Sequence, residues 1–139
     1  MQIRKKIFET NSSSTHSVVI EQGTDFVIPE IKGDTIEISG GEFGWEKETY
    51  RDWASKASYA YTYAKNSGRK EDLELLKKVI EDYTKKEVIF VTLDSEYDPD
   101  GYIDHQSIGE AKTIFADYET VKKVIFGKDS EIITNNDNN

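Results

Sequence analysis

Two short polar segments hold the residue types that do chemistry. The first runs through Thr10, Asn11, Ser12, Ser13, Ser14, Thr15, His16 and Ser17. Its hydroxyls and amide supply closely spaced donors and acceptors, and successive backbone N–H groups in such a loop can converge on an anion. His16 adds a side chain that exchanges a proton near neutral pH. These are parts for holding a phosphate or a sugar, or for general acid–base work on one. The same residues also suit a polar hairpin loop whose hydroxyls bond their own backbone. The second segment is Asp104, His105, Gln106 and Ser107, where a carboxylate beside an imidazole can act as metal ligand, general base or orienting pair. His16 and His105 are the only two histidines in the chain. If the two loops met, they would make a two-histidine, carboxylate-assisted site of the kind divalent metals favour. Spacing alone does not bring them together.

Two further groups need weighing. Glu96, Asp98 and Asp100, followed by Gly101, resemble the first, third and fifth ligands and the turn glycine of an EF-hand calcium loop. The pattern departs at its twelfth position, where Ser107 replaces a bidentate Glu, and the preceding segment reads as a strand. A solvated acidic loop accounts for it as well. The aromatic set is Trp45, Tyr50, Trp53, Tyr59, Tyr61 and Tyr63. Tyr50, Trp53 and Tyr61 fit the core stripe of one helix. Tyr59 and Tyr63, four apart, fall on another side, where they either complete a core or offer a face to a base or a partner.

The elements that must position these residues follow from periodicity. Residues 3–8 alternate as a strand does, and Val18–Ile20 resumes the pattern after the polar break, which leaves the first segment in a loop between strands. Short strands are expected at 26–28 and 34–38, separated by Pro29 and Gly33. From about Lys47 to Asn66 apolar residues recur at helical spacing, and Asn66-Ser67-Gly68 ends that helix. A second helix is expected over about 70–85, packed antiparallel to the first because the turn is so short. Val88–Leu93 reads as a buried strand, Tyr118–Phe126 as a short helix capped by Asp117 and stopped by Gly127, and Ile132-Ile133 as a last strand. The pattern predicts an α+β fold: a small mixed or antiparallel sheet, an antiparallel helix pair and a short C-terminal helix.

Composition sets the bounds. The chain has 139 residues, net charge −9 and no cysteine. The length suits a single domain over 1–139, ending in a polar tail at 135–139. With no cysteine, thiol catalysis, disulfides and Cys-ligated zinc are out. No stretch reads as a signal peptide or membrane span, so the expectation is a cytoplasmic protein with no membrane partner. The acidic balance works against direct nucleic-acid binding. It serves solubility, or lets the protein imitate DNA and occupy a DNA-binding protein.

The opening Arg4–Ser17, together with Phe43-Gly44-Trp45, Tyr102–Ser107 and Phe126-Gly127 leading to Ser130 and the Asn136-Asp137-Asn138 end, resembles a family of small bacteriophage and mobile-element proteins of Gram-positive bacteria. The resemblance brings no activity with it. It implies a host-cell setting, and it favours a shared site at Asn11–His16 and Asp104–Ser107, since shared loop residues point to function more than to packing. The resulting expectation is an accessory protein whose pocket uses Asn11, Ser12, Ser13, Ser14, His16, Asp104, His105 and Ser107. Its ligand would be phosphate-bearing, a nucleotide among the candidates, with interference in host defence signalling as the role. Phosphoester hydrolysis would fall to His16, His105 and Asp104, alone or with a divalent metal. The alternative is a non-enzymatic acidic protein that binds and inhibits a host protein.

Overall fold

A computed structural model describes residues 15–43, 48–91, 102–103 and 111–135. In chain order these form strands β1 (Thr15–Val19), β2 (Thr35–Ser39), β3 (Glu42–Phe43) and β4 (Glu48–Tyr50), helices α1 (Trp53–Ser67) and α2 (Lys70–Thr84), and strands β5 (Glu87–Val91) and β6 (Tyr102–Ile103). A 3₁₀ turn (Ala111–Phe115), helix α3 (Tyr118–Phe126) and strand β7 (Glu131–Asn135) complete them. The class is α+β, as expected, with a helix pair and a short C-terminal helix.

Helix α1 is the centre. Eight of its residues, Lys56, Ala57 and Tyr59 to Ala64, are buried, so it is enclosed over most of its circumference rather than along one stripe. Small Ala57, Ala60 and Ala64 let neighbours approach closely, and α2, α3, β2 and β6 all lie against this helix. Its tyrosines radiate outward: Tyr59 meets Phe43 edge-on at 5.1 Å, Tyr61 stacks on Phe90 at 4.7 Å, and Tyr63 stacks on Phe115 at 6.1 Å. Tyr59 and Tyr63 therefore complete the core and offer no face to a base or partner. Of the two sequence readings for this pair, the core one holds; periodicity alone finds one stripe and does not show a helix covered from several directions.

Local chemistry sets the helix ends. Asp52 caps α1 by accepting from the Ser55 N–H at 2.9 Å, and Gly68 closes it at φ 71°. Asp117 caps α3 the same way, accepting from Thr120 N–H at 2.8 Å. Helix α2 ends on Lys85 at φ 61°, a left-handed position where glycine is the usual occupant.

Among the described residues the strands form three sheets. β1, β7 and β4 form an antiparallel sheet in that order, with His16 opposite Thr134 and Thr134 opposite Glu48. β2 and β5 pair in parallel, as do β3 and β6, where Phe43 lies opposite Ile103. Several boundaries differ from the periodicity reading. β1 begins at Thr15, so His16 and Ser17 sit in a strand and not in a loop, and β1 pairs with the end of the described chain. Tyr50 belongs to β4, because Asp52 caps the helix and so starts it after this strand. Around Phe26 the described residues show a single bridge to Gly127, because the residues just before Gly127 belong to helix α3 and cannot extend a ladder. Asn135 closes β7 rather than opening a tail. The expected strand at 3–8 lies outside the described residues.

Candidate functional site

His16 points inward from β1 and is 1 % exposed. Strand alternation explains this: His16 and Val18 share one face of β1, and across the sheet Thr134 and Ile132 occupy the same inner face. The Nδ1 of His16 lies 2.5 Å from the hydroxyl of Tyr59 on α1, with ring centroids 5.6 Å apart. Burial, then the nearby phenols of Tyr63 and Tyr50, hold the Tyr59 hydroxyl far above its ordinary range, so it keeps its proton. A protonated phenol can donate to a bare Nδ1 or accept from Nδ1–H, so the bond forms with either tautomer of the ring. The bond joins β1 to the central helix.

From this pair a chain of contacts leads to the second polar segment. Phe43 packs against both Tyr59 and Tyr50, the latter at 5.4 Å, and Phe43 is the β-ladder partner of Ile103. Asp104 follows Ile103 directly in sequence. Thr134 ties in the third strand: its Oγ1 accepts from Glu48 N–H at 3.2 Å. The structure thus gathers His16, Tyr59, Phe43, Tyr50 and Thr134 where β1, β3, β4, β7 and α1 meet.

Asn11, Ser12, Ser13, Ser14, Asp104, His105 and Ser107 lie outside the described residues, as do Glu96, Asp98 and Asp100 of the EF-hand-like loop. Among the described residues no group of three or more His, Cys, Asp or Glu could hold a metal ion, and no helix is long and apolar enough to cross a membrane.

A second buried polar cluster escapes the sequence reading. Lys56 on α1 is 1 % exposed, and its Nζ donates to the carbonyls of Gly127 at 3.2 Å and Ser130 at 3.0 Å. Burial pulls its ammonium down to about 8, against the opposing pull of Asp52 and Glu131. Ser130 Oγ donates to Lys123 O at 2.6 Å and accepts from Glu21 N–H at 2.6 Å. The Glu21 carboxylate accepts from the N–H groups of Asp129 at 3.0 Å and Gly23 at 2.9 Å, which hold it below its ordinary range. At Gly127 a Cβ would stand 2.3 Å from Lys123 O and 2.7 Å from Ser130 Oγ, so only glycine fits. The signal available in sequence was Lys56 itself, a lone cation in the apolar series Trp53, Ala57, Ala60 and Ala64. With every polar group in it bonded, the cluster is built to fix the α3–β7 turn.

No family model matches this chain, and no curated protein or solved structure matches it either.

Proposed function

We propose that this protein binds a small phosphate-bearing ligand, a nucleotide being the fitting class, through the polar segments Asn11–His16 and Asp104–Ser107. One observation carries the reading. His16, the last residue of the first segment, and Ile103, which immediately precedes the second, are tied to one aromatic cluster through Tyr59 and Phe43. Hydroxyl-rich and imidazole-bearing segments, each adjoining a residue tied to this cluster, have the donors a phosphate needs. His16, withdrawn from solvent, serves as the anchor. Contact with the ligand falls to Asn11, Ser12, Ser13, Ser14, His105 and Ser107, and any hydrolytic step to Asp104 and His105. The resemblance to phage and mobile-element proteins supports a role in intercepting a host nucleotide signal.

The test is thermal unfolding with nucleotides, cyclic dinucleotides, inorganic phosphate, calcium and zinc. A ligand at about a hundredfold its Kd raises the midpoint by about 5–10 °C in a chain of this size. The shift is expected to vanish in His105→Ala and in the combined Ser12→Ala, Ser13→Ala, Ser14→Ala variant, while both keep the wild-type midpoint without ligand. No shift with any probe would overturn the reading in favour of an acidic protein that occupies a host protein. A shift with calcium alone would point to the Glu96–Asp100 loop instead.

A further inference from the structure

The residues assigned to the ligand leave its charge unmet. Asn11, Ser12, Ser13, Ser14 and Ser107 are neutral side chains, and Asp104 is an anion. A phosphate ester brings about two negative charges of its own, into the field of a chain whose net charge is −9. Hydroxyls and N–H groups orient such a group, but offsetting the repulsion takes a cation.

The structure places one beside the anchors of both segments. Residues 104–110 join β6 to the 3₁₀ turn Ala111–Phe115. Both of these elements rest on one stretch of α1. β6 pairs with β3, whose Phe43 packs on Tyr59 at 5.1 Å, and Phe115 stacks on Tyr63, one helical turn further along, at 6.1 Å. Tyr59 also holds His16, and the 3₁₀ turn packs against β1 itself. Lys112 stands in that turn, the first cation in the chain after the second segment. With three residues per turn it shares a side with Phe115, while Ile114 fills the core. Lys112 is exposed and is in no ion pair among the described residues. Arg51, Arg69, Lys78 and Lys128, by contrast, are each in an ion pair, and Lys56 is buried on two carbonyls.

We infer that Lys112 holds the phosphate group of the ligand and makes the site select phosphate esters over uncharged nucleosides. This rests on the ligand reading above and adds the group that meets the charge. A lysine ammonium is a compact point charge on a flexible stem, suited to a phosphate that neighbouring hydroxyls and N–H groups orient.

Nitrogen-15 NMR titrations with inorganic phosphate, ADP and adenosine at matched ionic strength test the assignment. Wild-type protein is expected to bind phosphate and ADP, with amide shifts at His16, Ser17, Lys112 and Thr113, and to bind adenosine at least about tenfold more weakly than ADP. Lys112→Gln lowers the ADP affinity about tenfold or more, and Lys112→Arg restores most of it. Lys70→Gln, at an exposed lysine on α2, changes nothing. All three variants keep the wild-type unfolding midpoint without ligand, because both positions are exposed. ADP binding that survives Lys112→Gln overturns the assignment and leaves the ligand reading standing. So does an equal loss in Lys70→Gln, or a loss found only in the combined Arg4→Gln, Lys5→Gln, Lys6→Gln variant. Adenosine bound as tightly as ADP overturns the selectivity. If neither phosphate nor ADP binds the wild type, the assignment falls together with the phosphate reading beneath it.

Discussion

Lys56 makes the stability of this protein depend on alkaline pH in a direction opposite to that of a surface lysine pair. Its ammonium is buried, and its ionisation falls from the ordinary 10.5 to about 8. Between those values the unfolded chain holds a proton that the folded chain has released, so stability rises with pH. The cost of the buried charge is fully present below pH 8 and is relieved as pH climbs towards 10.5. The full difference is about 3 kcal/mol, of which about 2 kcal/mol appears between pH 7 and about pH 9.5. Neutral lysine still has two N–H donors, matching the two carbonyls of Gly127 and Ser130 that it serves. In Lys56→Met the gain with pH disappears. The absolute stability of that variant is a poor readout, because removing the buried charge offsets the loss of donors to two buried carbonyls, about 1–3 kcal/mol each. Urea unfolding followed by circular dichroism at pH 7, 8, 9 and about 9.5 supplies the comparison. If Lys56→Met tracks the wild-type curve to within about 0.5 kcal/mol, the buried ammonium is not the source and the reasoning fails.

Two further substitutions test the backbone around the same core. Gly127→Ala forces a methyl group against Lys123 O, Glu21 Cβ and Ser130 Oγ, and is expected to destabilise the fold by more than about 3 kcal/mol in chemical denaturation. Lys85→Gly relieves a left-handed φ of 61° at the end of α2, and a gain of about 1 kcal/mol is expected from the same measurement.

The elements with strong local signals were readable in the sequence. Helix α3 matches its expected span because the Asp117 side chain caps its start and the backbone turns extended at Gly127. α2 and β2 follow from periodicity in the same way. What escaped depends on distant partners. Thr15, His16 and Ser17 read as loop because their residue types favour turns, and only pairing with β7 makes them a strand. Tyr59 fitted either a wider core or an exposed face, because nothing local reveals that β1 and β3 cover that side of α1. Burial of Lys56 is invisible for the same reason: its partners, Gly127 and Ser130, lie 71 and 74 residues away. Of the candidate site, the residue types were legible, while His16's place among Tyr59, Phe43 and Thr134 required the fold.

The register of β1 against β7 has a consequence for the order of assembly. β1 has β7 as its only ladder partner among the described strands, and the Glu21–Ser130 bond beside them joins residues 109 apart in sequence. As the chain leaves the ribosome, α1 and α2 can dock on each other early through contacts close in sequence. β1 emerges first of the described strands, yet it must wait for the last of them before its hydrogen-bonding groups have anywhere to go. Closing so long a loop comes late, because its entropy has to be overcome before the pairing contributes anything. His16 is thus a residue made early and buried late. The same closure leaves Thr15 and Asn135 side by side, so joining them and opening the chain at Gly68-Arg69 would yield a permuted protein in which β7 leads directly into β1.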